Sequence, residues 1–126
     1  MGTPPADRTA RGRAAEGIAA RYLAASGFVL LARNVRYRGG ELDLVAREGD
    51  EIVFVEVRSR RAGSRFDPAA TLGPAKRAAL LRAASRWLDE NKCGQFRSRI
   101  DVVTVETGPR GYRIRLIRGA FADGSP

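Results

Sequence analysis

Carboxylate, guanidinium, ammonium and hydroxyl groups are available for chemistry in this 126-residue chain. The sequence contains no histidine and a single cysteine, Cys93. A serine–histidine triad, a histidine metal site and an internal disulfide are therefore excluded. Carboxylate oxygens are the ligands preferred by hard cations such as Mg²⁺ or Mn²⁺. The composition therefore favours a metal site made of acidic residues that the fold brings together.

Two acidic residues, Asp43 and Glu56, interrupt the apolar runs of a predicted hairpin, GGELDLVAREGDEIVFVEVRSR, residues 39–60. Its turn at residues 49–50 predicts a register in which one face is wholly apolar and packs on a helix. The predicted pairs on that face are Leu42–Val57, Leu44–Val55 and Ala46–Val53. On the opposite face the same register places Asp43 against Glu56 and Glu41 against Arg58.

The predicted Asp43–Glu56 pair needs a compensating cation. Like charges directly opposite each other destabilise a sheet, and at about 4 Å two carboxylates repel by roughly 4 kcal/mol in a moderate dielectric. A divalent metal ion or Arg58 would offset this repulsion, and such a site suits phosphodiester hydrolysis. Glu16, at the edge of the apolar stripe of the first predicted helix, would complete the metal shell. The alternative is an exposed sheet face on which these charges are only solvated.

The hydrophobic pattern predicts the elements that position these residues. Helical spacing predicts helices over residues 10–26 and 74–90, and alternating or continuous apolar runs predict five strands. The order is α-β-β-β-α-β-β, which predicts an α/β (α+β) fold with a small mixed sheet flanked by helices. Residues 1–8 are predicted to be a disordered lead-in, 9–118 a single domain, and 119–126 a flexible tail. Asp101, in the apolar run RIDVV, is expected to be a buried structural acid paired with an arginine, and Trp87 a core residue.

The net charge of +9 favours a polyanionic partner, most often nucleic acid. A GC-rich genome, which raises arginine and alanine usage, is the alternative explanation for the arginine content. The predicted phosphate contacts are Arg36, Arg38, Arg60, Arg61, Arg65, Lys76 and Arg77. For the last two, a solvated helix face is the alternative. No apolar run approaches the roughly 20 residues of a membrane span, and the N-terminal segment lacks the apolar stretch of a signal peptide, so a cytoplasmic protein is expected.

The segments ARGRAAEGIAARYLAASGF, RNVRYRGGELDLVAREGDEIVFVEVRSR and RIDVV resemble the uncharacterised bacterial YraN-like family. That family is in turn similar to Holliday-junction resolvases and to the restriction-endonuclease-like PD-(D/E)XK nucleases. The resemblance implies a restriction-endonuclease-like fold and a Mg²⁺- or Mn²⁺-dependent endonuclease acting on DNA, with branched DNA as one candidate substrate. It further implies Asp43, Glu56 and Glu16 as metal ligands, and a homodimer by analogy with resolvases.

Arg58 stands where the nuclease motif has a lysine, and the resemblance gives it that residue's catalytic role. Arginine keeps the positive charge, but it is bulkier than lysine and is essentially never deprotonated. The alternative function is therefore a non-catalytic nucleic-acid-binding module that retains a nuclease fold.

Overall fold

The computed structural model describes residues 4–64 and 72–120, with side chains from residue 12 onward. The elements are α1 (Pro4–Ala25), β1 (Val29–Tyr37), β2 (Gly40–Glu48), β3 (Glu51–Arg61), α2 (Pro74–Glu90), β4 (Arg97–Gly108) and β5 (Gly111–Ile117). The predicted order and the mixed α/β class are confirmed. Helix α2 has the predicted bounds, whereas α1 begins at Pro4 rather than at residue 10. The division into lead-in, domain and tail stays a prediction, and residues 1–3 and 121–126 lie outside the described part of the chain.

The five strands form one mixed sheet in the order β1-β2-β3-β4-β5. Neighbouring strands are antiparallel except β3 and β4, which run parallel. Parallel neighbours need a crossover connection, and α2 lies within that connection. Because β3 and β4 point the same way, their C-terminal halves lie side by side at one end of the sheet.

The two helices cover opposite faces of the sheet. Along β3, Val53 and Val55 belong to a cluster with α1, while Ile52 and Phe54 belong to a cluster with α2. This alternation is that of a strand buried on both faces. The Trp87 ring packs edge-on against the Phe54 ring, with centroids 5.9 Å apart, which confirms the prediction that Trp87 is a core residue.

Helix α2 approaches β2 most closely at Gly40. A Cβ atom at this position would lie 2.7 Å from the carbonyl oxygen of Ala79, so a larger residue would push the helix away from the sheet. Lys76 precedes Ala79 by three residues and therefore lies on the same side of the helix. The glycine thus brings the first turns of α2 close to the sheet.

An ion-pair network around Arg99 joins the turn of the β2–β3 hairpin to β4. Its guanidinium donates to Glu48, Glu51 and Asp101. Asp101 is fully buried and also accepts a 2.8 Å hydrogen bond from the backbone N–H of Gly119. The prediction that Asp101 is a buried structural acid paired with an arginine is confirmed.

Over residues 4–64 and 72–120, neither helix is both long and apolar enough to cross a membrane. The cytoplasmic location and the homodimer stay predictions.

Candidate metal site

Strands β2 and β3 part at the acidic residues. Their backbone pairing follows the predicted register from the turn as far as Leu44 and Val55. The preceding residue on β2, Asp43, uses its side chain instead, and its Oδ2 accepts a 2.8 Å hydrogen bond from the backbone N–H of Val57. In these two described strands the ladder therefore ends before three predicted pairs, Leu42–Val57, Asp43–Glu56 and Glu41–Arg58. The prediction of direct backbone pairing was wrong there, because a side chain has taken a hydrogen bond that would extend the ladder.

Leu42 also departs from the predicted face. The hydrophobic pattern placed it with Leu44, yet it lies in the α2 cluster with Val45, while Leu44 lies in the α1 cluster. The adjacent strand β1 is irregular at the same level. Asn34, which lies across from Asp43, has a positive φ of 52°. Both strands therefore change course beside the acidic residues, so strict alternation fails there.

The carboxyl groups of Asp43 and Glu56 nevertheless lie close enough for each to shift the pKa of the other. Glu56 is only 5% exposed. Burial, and next the charge of Asp43, raise the pKa of Glu56 from 4.5 to about 7. Burial also raises the pKa of Asp43, against the opposing effect of the Val57 N–H. Near neutral pH the pair therefore holds a proton for part of the time.

Lys76 forms an ion pair with Glu56 of this pair. Its Nζ lies 3.4 Å from Oε2 of Glu56, and its side chain is 46% exposed. It is thus a half-exposed ammonium from the first turn of α2 beside a buried carboxylate of β3. The sequence analysis predicted Lys76 only as a phosphate contact. Arg58 lies two residues beyond Glu56, is half-buried, and pairs with Thr104 of β4.

Glu16 comes near Asp43 from the α1 side. Burial and then the charge of Asp43 raise its pKa, while a hydrogen bond from the Asn34 side chain opposes that rise. An open cleft of about 500 Å³ lies beside it, lined by Gly12, Arg13, Glu16, Asn34, Arg36 and Glu41. No three carboxyl or thiol side chains form a ready-made metal centre among the residues described. The carboxyl groups of Asp43 and Glu56 are therefore the two that the fold brings together, and Glu16 lies beside Asp43.

The remaining predicted phosphate contacts have different surroundings. Arg36 lines the cleft and pairs with Glu41 across β1 and β2. Arg60 forms an ion pair with Glu106 at 3.2 Å. Three more are partly or fully exposed near the ends of β1, β3 and α2, namely Arg38, Arg61 and Arg77. Arg65 lies outside the described residues.

The sequence-based reasoning missed Arg13 and Asn34 as members of the candidate site. Asn34 offered one signal, because it is a polar residue that tolerates positive φ and it interrupts the apolar pattern of β1. Arg13 offered none, since a single arginine on a helix is ordinarily solvated.

The fold and the site together define a small mixed α/β protein with two adjacent carboxyl groups, one buried and one partly buried, where two strands part. The chain belongs to the uncharacterised protein family UPF0102, whose profile matches residues 15–105. That match includes all four residues of the predicted catalytic set: Glu16, Asp43, Glu56 and Arg58. Membership of an uncharacterised bacterial family is therefore confirmed.

Individual relatives match over most of their length. A UPF0102 protein of Anaeromyxobacter sp. (strain Fw109-5) is 45% identical over 121 residues, which cover 95% of this chain and 91% of the relative. One from Symbiobacterium thermophilum is 46% identical over 111 residues, covering 87% and 94%. One from Syntrophus aciditrophicus is 41% identical over 110 residues, covering 87% of each chain. These names give a family without an activity, so the likeness to resolvases and nucleases stays a prediction.

Proposed function

We propose that this protein is a metal-dependent, endonuclease-like enzyme that hydrolyses DNA phosphodiester bonds. The observation that carries this proposal is the pairing of the buried Glu56 with the partly buried Asp43. Full ionisation of a buried carboxyl group beside a partly buried one is costly unless a cation compensates them. Lys76 supplies one positive charge, so a divalent cation is the partner that best suits the fully ionised pair. The mixed sheet with one helix on each face is compatible with a restriction-endonuclease-like fold.

The residues present suit Mg²⁺ or Mn²⁺, since the converged donors are carboxylate oxygens. Asp43 and Glu56 would hold the ion, and Glu16 would complete its shell from the side of the cleft. When bound, such an ion would polarise the phosphate and lower the pKa of water. Both carboxyl groups must be ionised to bind it, so affinity should fall as the pH drops below about 7, the pKa of Glu56.

Two side chains would stabilise the negative charge that develops on the phosphate oxygens. Arg58 provides a planar, forked guanidinium whose donors match the oxygens of a phosphate. Lys76 provides a compact ammonium, 3.4 Å from the Glu56 carboxylate. In this proposal α2 supplies the lysine that β3 lacks. From its position beside Glu56, the ammonium would be able to donate a hydrogen bond to a phosphate oxygen.

The second candidate is a DNA-binding module without efficient catalysis. The observation that favours it is Arg58 at the position of the motif lysine. The net charge of +9 is compatible with both candidates, because binding and cleavage both need attraction to a polyanion.

A cleavage assay tests the proposed function. Linear, nicked, flapped and four-way DNA should be incubated with Mg²⁺ or Mn²⁺ at pH 8. The wild-type protein is expected to cut at least one of them. The Asp43→Asn/Glu56→Gln variant should be slower by at least about 100-fold, a typical effect of removing groups that stabilise a transition state. Equal cutting by both proteins would refute the assignment of the site.

Two further variants separate the candidates and the roles of the cations. If only Arg58→Lys cuts, the native protein is a binding module. If the wild type cuts, Lys76→Met should reduce the rate by about 100-fold and preserve Mn²⁺ binding, whereas Arg82→Met, at an exposed position of the same helix, serves as the control. An unchanged rate in Lys76→Met would remove the lysine from the mechanism.

A further inference from the structure

Next to the acidic pair, the sheet presents a second charged surface. Two rows of paired residues cross β3, β4 and β5 in their ladder: Arg58–Thr104–Arg115 and Arg60–Glu106–Arg113. Residues paired across neighbouring strands share a face of the sheet. We call these six residues the basic face; it contains four arginines and one glutamate.

The basic face lies on the side of the sheet opposite α1. The alternate residues of β5, Ile114 and Leu116, pack against the α1 cluster, so Arg113 and Arg115 must point the other way. Both arginines are exposed. The residues of β3 and β4 that belong to the α2 cluster lie earlier in those strands; they are Ile52, Phe54 and Ile100. The apolar surface under α2 thus gives way to charged residues beyond Glu56.

The basic face is close to the candidate metal site and on the same side as Glu56. Glu56 is paired with Val102 in the row that precedes Arg58–Thr104–Arg115. Successive rows on one face of a sheet are about 7 Å apart. The two arginine rows therefore follow the acidic residue at about 7 and 13 Å. A polyanion bound at the metal site would continue directly over them.

We propose that the basic face binds the phosphate backbone of the DNA on one side of the metal site. This inference rests on the proposed function for the identity of the partner, and it adds Arg113 and Arg115 to the binding surface. Glu106 would limit affinity, because it lies between Arg60 and Arg113 in the ladder and its carboxylate is 3.2 Å from the Arg60 guanidinium. Such contacts position a nucleic acid and carry no base specificity.

The test measures DNA binding in EDTA across a salt series. Binding is detected by the fluorescence anisotropy of a fluorescein-labelled duplex and of a labelled four-way junction. Arg113→Ser/Arg115→Ser should weaken binding by about tenfold and reduce the salt slope by about 2. The matched control is Arg47→Ser/Arg97→Ser, which removes two exposed arginines near the opposite end of β3. Glu106→Gln should strengthen binding severalfold. Unfolding temperatures verify that each variant is folded.

Equal losses in the two double variants would overturn the proposal, because overall charge alone would then explain binding. Unchanged binding in Arg113→Ser/Arg115→Ser would overturn it as well, as would a wild-type protein that binds neither DNA. Since no divalent ion is present, the outcome is separate from the cleavage assay. If the wild type cuts DNA but Arg113→Ser/Arg115→Ser binds DNA as tightly as the wild type, the proposed function stands and the role of the basic face is rejected.

Discussion

The Glu56→Gln variant is expected to be more stable than the wild type by about 3 kcal/mol at pH 8 without divalent cations. The fold raises the pKa of Glu56 from 4.5 to about 7, mainly through burial. A raised pKa means that the folded protein favours the neutral acid. Its stabilising contribution is complete below pH 4.5 and is lost as the pH rises through about 7. Glutamine is neutral at every pH, so the variant avoids that loss.

Urea unfolding in EDTA measures this effect. The stability gained by Glu56→Gln should grow from about 1 kcal/mol at pH 5.5 to about 3 kcal/mol at pH 8. Glu41→Gln makes the same chemical change at an exposed position of β2 and should stay within about 0.5 kcal/mol of the wild type. A gain that does not vary with pH, or a less stable variant at pH 8, would show that the Glu56 site does not resist ionisation.

Replacement of Asp101 by alanine is expected to destabilise the protein by about 3 kcal/mol. The carboxylate is fully buried, accepts hydrogen bonds from Arg99, and also binds the backbone N–H of Gly119. Removal of one partner from a buried ion pair ordinarily costs 3–5 kcal/mol. We expect a loss at the lower end of this range, because Arg99 keeps its ion pairs with Glu48 and Glu51 in the variant.

The control for Asp101→Ala is Glu106→Ala, which breaks the more exposed pair with Arg60. A partly exposed ion pair contributes about 1 kcal/mol or less. The midpoint of urea unfolding at pH 7 gives both values. Similar small losses in the two variants would mean that the Arg99 network contributes little to holding the hairpin turn against β4.

The hairpin register and the element order were predictable because both depend on regular apolar periodicity. Val53 and Val55 alternate with Ile52 and Phe54, and only one register places each set on its own buried face. The bounds of α2 were also predictable, since Pro74 is favourable in the first turn and the apolar stripe continues to Leu88. These signals are local and repeat along the chain.

The parting of β2 and β3 was not predictable from the same signals. It depends on a hydrogen bond from a backbone N–H to the Asp43 side chain, which leaves no trace in the apolar pattern. The position of Lys76 was also hidden. Its contact with Glu56 requires α2 to lie close over the sheet, and one condition for this is the missing side chain of Gly40. Such long-range proximity cannot be inferred from helical spacing alone.

A calorimetric titration with Mn²⁺ at pH 8 tests the central claim most directly, because at that pH Glu56 is mostly ionised. The wild-type protein is expected to show saturable binding, and the Asp43→Asn/Glu56→Gln variant none. Glu41→Gln, which retains both carboxyl groups of the pair, should bind like the wild type. Identical titrations for the wild type and the double variant, whether both bind or neither does, would contradict the assignment of Asp43 and Glu56 as a metal site.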